Sequence, residues 1–456
     1  MPCCKGAQYN HWCNTVPIVP YKDSDGNQYC LFHAPAGEKN SSAADFNKMA
    51  IDRASVFKKV NSEAGGECNF AGAIFPWDIN FKQEFSILRT ANFLDARFEG
   101  VVDFSDINFM CPAVFTNAIF GDDANFFRST FSEDANFFGA TFRKNFYCLY
   151  SNFNKNTKFF EVNFKEIASF ANATFDRKAE FHANFFKEAN FLNSNFKSGV
   201  SFFKVVFDQA FFISTNFQGR TEFKEIEFLK FGQLTSMHIS ESIKMENAIL
   251  KKVSFLDTDL RKIDFDNCTW PKKEDRDVLF DELELAEKNA PSKDINKVES
   301  LYRKLKQKCK EEHNEAEVSN WHYGEKEMQR KKTPVKNVMT YSFLHLYYMS
   351  SGYSEEPRRG LLVLIFMICV AAFILSVLGL TPTTDKMSYE VKSIQWPRSM
   401  DIELLFVNIF KYITYQREYT LAPMSKCGDF AKSAFQILIS IQAALFALAV
   451  RNKFRR

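Results

Sequence analysis

Residues 91–145 read ANFLDARFEGV, VDFSDINFMCP, AVFTNAIFGDD, ANFFRSTFSED and ANFFGATFRKN when cut every eleven residues. Phenylalanine recurs in alternating steps of five and six, at Phe93, Phe98, Phe104, Phe109, Phe115, Phe120, Phe126, Phe131, Phe137 and Phe142. Neither step is helical. A 3.6-residue turn would scatter these rings around a helix, and a strand would need a period of two. A chain that turns a corner about every five residues instead puts one ring at the centre of each face, pointing inward. The residue two positions earlier is often small (Ala91, Ala113, Ala124, Ala135, Ala168, Ala179, Ala189) and is expected to point inward as well, where bulk would not fit. Four faces make a coil of ~20–22 residues, and coils stack at the strand spacing of ~4.8 Å.

The pattern weakens over residues 146–156, resumes with Phe159, Phe164, Phe170, Phe175 and Phe181, and runs to Phe228 with single-residue deletions. A pure five-residue version follows at Leu250, Phe255, Leu260 and Phe265. The repeat is expected to begin near Cys68 and end at Trp270. That makes roughly nine coils and a rod on the order of 45 Å. It also accounts for 52 Phe against 17 Gly and 13 Pro in 456 residues.

The ANF and ASF triplets resemble the pentapeptide-repeat proteins, whose consensus is a small residue, Asn or Asp, then Leu or Phe, then two variable positions. The resemblance implies a right-handed quadrilateral β-solenoid. The eleven-residue cycle departs from a strict five, and the extra residue reads as a bulge at one corner.

Residues 1–40 hold Cys3, Cys4, Cys13, Cys30 and His33, the last two within YCLFHAP. Three thiolates and one imidazole are the donor set of a closed structural zinc site. Cys4, Cys13, Cys30 and His33 form the expected set, with Cys3 the alternative to Cys4. The segment is too short for a core of its own, so a metal would help it fold. The contrary reading is a reduced tail with a chance cluster. Some pentapeptide-repeat proteins carry a similar Cys-rich head ending in YCxFH. The chain has 11 Cys and opens without an apolar leader, so reduced thiols in a cytosolic compartment are expected. Residues 41–67 read as a connector.

Residues 271–357 are charged, with Leu301, Tyr302, Leu305 and Cys309 at helical spacing and a break at Asn289-Ala290-Pro291. Two or three amphipathic helices are expected there, capping the open end of the solenoid and leading to a bilayer. Within 358–456, Leu361 to Leu380 is a run of twenty residues without a charge, long enough to span. A second span is expected at about 434–450, with Gln436, Ser440 and Gln442 inside it. Basic residues at both outer ends (Arg358, Arg359, Arg451, Lys453, Arg455, Arg456) place both termini in the cytoplasm of a multi-pass cell (inner) membrane protein. Between the spans, MDIELLFVNIFKYITY (400–415) reads as a re-entrant or interfacial helix.

Span, short helix, loop and span is the plan of a two-helix channel subunit. Pentapeptide-repeat proteins with such a module exist, and LYRKLKQKCKEEHN, HYGEKEMQRKK and LFALAVRNKFRR resemble theirs. The loop TYQREYTLAPMSKCGD has no TVGYG-like run, so potassium selectivity is not implied.

Two functional readings follow. One is an oligomeric pore subunit with a cytoplasmic solenoid as sensor or scaffold, lined by Asn408, Gln436, Ser440 and Gln442. The other is a non-conducting membrane anchor whose solenoid faces bind a protein partner. DNA mimicry would demand a strongly acidic solenoid, but residues 68–270 carry a net charge of about −3, so no nucleic acid is expected. No GxSxG, P-loop or HExxH motif is found, and an enzyme is not expected. Asp122-Asp123 and Glu133-Asp134 read as solvated corner residues, and His182, His238, His313 and His322 as solvated or structural.

Overall fold

The computed structural model describes residues 3–10, 12–55, 69–82, 87–88, 91–274, 276–287, 292–332, 338–378, 380–382, 407, 410–411, 421–423 and 425–454. The chain divides into two compact units, Met1–Ala290 and Pro291–Arg456.

The first unit is a β-solenoid of parallel strands with about eight turns, one fewer than the repeat count implied. One ladder runs Ala91, Ala113, Ala135, Thr157, Ala179, Val200, Thr221, Ile243, Ile263. A second begins at Ile74, Arg97, Ile119 and Thr141, a third at Ile79, Val102, Ala124 and Phe146, and a fourth at Ile87, Asn108, Thr130 and Asn152. Four ladders per turn are the four expected faces.

The inward rings form continuous stacks. Phe93, Phe115, Phe137, Phe159 and Phe181 lie nearly parallel at 5.1, 5.0, 4.8 and 4.9 Å between neighbouring centroids. That separation is the strand spacing, so backbone ladder and ring ladder share one period. The small residues two positions earlier are buried as expected.

The second position of the repeat has its own reason. Asn69, Asn92, Asp103, Asn125, Asn136 and Asn190 each accept a hydrogen bond from the backbone N–H two residues on. That turn steers the chain past the ring and into the corner. The corner residue itself is left-handed: Asp95, Asp106, Asn117, Arg128, Gly139, Tyr150, Glu161 and Asn172 recur every eleven residues with positive φ. Asn and Asp tolerate that conformation best among residues with a Cβ.

The weak stretch from Phe146 is a swap of sizes. Phe146 pairs with Ala124 below and Ala168 above, at the position that is otherwise small, and Cys148 takes the place of the ring. Both are fully buried. The Phe146 ring reaches into the stack at 5.6 Å from Phe126 and 5.3 Å from Phe170, tilted rather than parallel. The coil therefore keeps its volume with its large and small residues exchanged.

Both ends of the solenoid are closed. At the C-terminal end, α2 (Phe280–Glu287) caps it. Asp281 accepts hydrogen bonds from Ser254 Oγ at 2.6 Å and Phe255 N at 3.1 Å. Glu282, fully buried, pairs with Arg276 at 2.9 Å and Lys273 at 3.4 Å. The expected break at Asn289-Ala290-Pro291 and the start near Cys68 lie outside the described residues.

In the second unit, α3 (Ser292–Glu311) and α4 (Glu315–Lys332) form an antiparallel hairpin. Leu301, Tyr302, Leu305 and Cys309 are its buried face, as their spacing predicts. Gly324 admits the Tyr302 ring, which a Cβ there would strike. Arg303 bridges Glu299 at 2.6 Å and Glu325 at 3.3 Å. Helix α5 (Val338–Ser351) follows, then α6 (Pro357–Leu378) and α7 (Lys426–Phe454). The Tyr348 ring lies between the guanidinium groups of Arg330 and Arg359, at 4.9 and 4.8 Å. The expected helix over 400–415 lies largely outside the described residues.

Candidate metal centre and candidate pore residues

The N-terminal head comprises a hairpin, β1 (Ile18–Lys22) with β2 (Gln28–Cys30), and helix α1 (Ala43–Ser55). The Cys4 amide donates to Gln28 O at 2.9 Å, which docks the N-terminal segment against β2. Cys3 opens a tight turn that the Gly6 amide closes on Cys3 O at 2.9 Å, and the Cys30 amide donates to Cys3 Sγ at 3.3 Å. Cys4 is exposed. The expected ligand Cys4 is thus replaced by its alternative, Cys3.

Cys3, Cys13, Cys30 and His33 are all buried, with one donor atom from each lying within 4.8 Å of the others. His33 Nδ1 is 3.4 Å from Cys3 Sγ and 3.1 Å from Cys30 Sγ. Its Nε2 lies 3.0 Å from Ala71 O. A carbonyl only accepts, so Nε2 carries the proton and Nδ1 offers its lone pair to the sulfur cluster. That is the tautomer a metal ligand needs, held by a backbone carbonyl behind it. A hydrogen bond from Cys30 pulls the Cys3 thiol down, while burial pushes Cys13 up. Cys30 is raised by its hydrogen bond to Cys3 and by burial. Proximity and burial favour one thiolate and penalise the second and third. A divalent metal would relieve that penalty. Donor type, number and proximity all fit a four-ligand site, and the group could hold a metal ion.

The head is also the lid of the solenoid's N-terminal end, which the sequence reading missed. Phe32 contacts Phe70 at 5.5 Å, Phe46 contacts Phe75 at 5.9 Å, and the Ile74 amide donates to Phe32 O at 2.8 Å. Trp12 Nε1 donates to the same Ala71 carbonyl that holds His33. The available signal was the cluster of Trp12, Phe32 and Phe46 in a segment too short to bury them alone. Beside it, Lys39 is buried and donates to Leu31 O at 2.6 Å and Phe32 O at 3.1 Å. Burial lowers its ammonium to about 7.

Helices α6 and α7 are long and apolar enough to cross a membrane. They pack against each other, with Gly360 of α6 beside Phe446 of α7; the buried residues are Gly360, Ala371, Ala372 and Leu375 on α6 and Gly428, Ile439, Gln442 and Ala449 on α7. Small residues let such backbones approach. The candidate pore residues separate. Gln442 is buried, and its Nε2 donates to Ser350 O at 2.8 Å and Gly360 O at 2.9 Å. It fastens α7 to the end of α5 and the start of α6. Gln436 and Ser440, one turn apart and half-buried, share a different face of α7. Asn408 lies outside the described residues.

The corner acids Asp123 and Asp134 accept from backbone N–H groups one coil on, Asn145 N at 3.0 Å and Asn156 N at 3.1 Å, a structural duty. No family model, curated protein or solved structure matches this chain.

Proposed function

We propose that the chain is a right-handed pentapeptide-repeat solenoid carried on the cytoplasmic face of a cell membrane, and that its two apolar helices assemble with further copies as a pore. One observation carries the reading. The most apolar windows of α6 and α7 are each only 17% buried. A core helix of a soluble domain would be covered, so this much uncovered apolar surface calls for lipid or a second copy. Two spans enclose nothing by themselves, so conduction requires a homo-oligomer. Gln436 and Ser440 are the lining residues of this pore, since polar side chains at membrane depth face water or protein. Gln442 has a different role, as the clasp of each hairpin.

The metal is structural zinc, held by Cys3, Cys13, Cys30 and His33. It supplies folding free energy to the lid of the solenoid, and four protein donors leave it no catalytic position. The solenoid is the sensor or scaffold, with its outer faces free for a protein partner. No enzymatic step is proposed.

A second reading, a non-conducting anchor, is favoured by the internal satisfaction of Gln442. Recordings of the full-length protein in planar bilayers separate the two. The pore reading expects discrete openings whose unitary conductance changes severalfold in Gln436→Leu/Ser440→Ala. An unchanged unitary conductance would remove this face of α7 as the lining. Silence in every bilayer, with insertion confirmed, would leave the anchor.

A further inference from the structure

The second unit contains a polar cavity of about 280 Å³ where α3 and α4 meet the C-terminal end of α7. Lys306 and Lys310 reach it from α3, Ser319 and His322 from α4, and Arg451 and Asn452 from α7. Glu315, Val318 and Glu355 complete its lining. Cations are favoured in the last turn of a helix, which accounts for Lys310 and Arg451 singly. It does not account for both, together with Lys306 and His322, facing one cavity.

Two carboxylates, Glu315 and Glu355, share the cavity with these cations, and a third stands beside it. Glu325 is held by Lys306 and Arg303. Glu355 accepts from Asn452 Nδ2 at 3.5 Å, and the same amide donates to Ser354 O at 3.1 Å. Glu315 is exposed. Among the described residues, neither Lys310 nor Arg451 has a carboxylate within ion-pair distance, and both are open to solvent. Half-buried His322 is lowered to about 4 by burial and by Lys306, Lys326 and Lys310. Burial is the larger cause and the lysines add to it, and the cavity has exposed cationic arms on two sides, Lys310 and Arg451.

We propose that this cavity binds a small phosphate-bearing anion, clamped between Lys310 of α3 and Arg451 of α7, with Lys306 and His322 on its floor. Arg451 offers a planar fork of donors and Lys310 a point charge, the two usual ways of holding phosphate oxygens. The volume suits a phosphate ester of modest size. The anion ties the α3–α4 hairpin to the end of an apolar helix, so its arrival would stiffen that junction. This holds whether or not the helices conduct. The phosphate arrives either free in solution or on a lipid headgroup, since Arg451 ends a helix apolar enough to span.

The test is titration of the full-length protein with inorganic pyrophosphate by calorimetry, in nanodiscs of phosphatidylcholine alone and in nanodiscs containing phosphatidylglycerol. Saturable binding is expected in neutral discs. It should weaken tenfold or more in Lys310→Gln/Arg451→Gln and stay unchanged in Lys453→Gln. A free phosphate compound as ligand leaves the affinity equal in both discs, whereas a lipid headgroup competes and lowers it in the anionic discs. As a readout independent of any variant, pyrophosphate should raise the pH at which the His322 ring protonates, followed by NMR. Pyrophosphate binding that is absent, or that neither the double variant nor His322 senses, would overturn the proposal.

Discussion

At Phe146 and Cys148 the solenoid core exchanges its large and small residues, and the exchange can be reversed. Cys148→Phe alone adds a ring where the Phe146 ring already stands, and overpacking should cost about 1–3 kcal/mol. Phe146→Ala alone opens a cavity and should cost about 3–5 kcal/mol. Made together they recreate the arrangement of every neighbouring coil, so the double variant should be more stable than the sum of the two losses by at least about 1 kcal/mol. Denaturant unfolding of the four proteins measures that coupling, and strict additivity would show that the two sites do not share space. The stacked rings were legible in advance because their period is long, regular and unlike that of helix or strand. The swap was visible only as a weakening, because pattern reading follows residue type and not the volume that two neighbours share. The choice between Cys3 and Cys4 was beyond the sequence for a similar reason. It turns on how the tight turn at Cys3–Gly6 docks on the distant residues Gln28 and Cys30, which local pattern does not report.

Among the elements, the two lids carry the functional consequences. If the metal centre is as described, purified protein should hold about one zinc per chain, and Cys4→Ser should keep it while Cys3→Ser loses it. Metal analysis by mass spectrometry of the three proteins gives the answer, and loss in Cys4→Ser with retention in Cys3→Ser would reverse the assignment. The other lid responds to pH. Burial raises the Asp281 carboxyl from 3.8 to about 6, against the hydrogen bonds from Ser254 and Phe255. A carboxyl raised on folding binds its proton more tightly in the folded state, so this contribution to stability falls as pH rises from about 4 through about 6. The full difference amounts to about 3 kcal/mol. Protection of the Phe255 amide against hydrogen exchange, corrected for the intrinsic rate, should be about tenfold greater at pH 5 than at pH 7.5. A flat or opposite profile would contradict it. A cap at the C-terminal end was expected because an open solenoid end is untenable. That the Cys-rich head is the matching N-terminal lid was not seen, since its contacts to Phe70, Phe75 and Ala71 join residues about 30 to 60 positions apart and leave no local pattern.

For the whole molecule, the sequence divides its labour by composition. Period-five phenylalanine builds a solenoid, charged amphipathic stretches build the α3–α4 hairpin, and charge-free runs build α6 and α7. Those divisions could be read from residue type alone. The roles of polar residues inside the apolar helices could not, because Gln436 and Gln442 differ only in what lies opposite them: Gln442 meets two backbone carbonyls of its own chain. Membrane insertion and the proposed pore both rest on the uncovered apolar faces of α6 and α7. The most direct test is ion flux through liposomes containing the purified full-length protein, compared with empty liposomes of the same lipid. Flux is expected, in proportion to the number of oligomers per vesicle. Liposomes that stay tight, although protease protection shows both helices inserted, would contradict it.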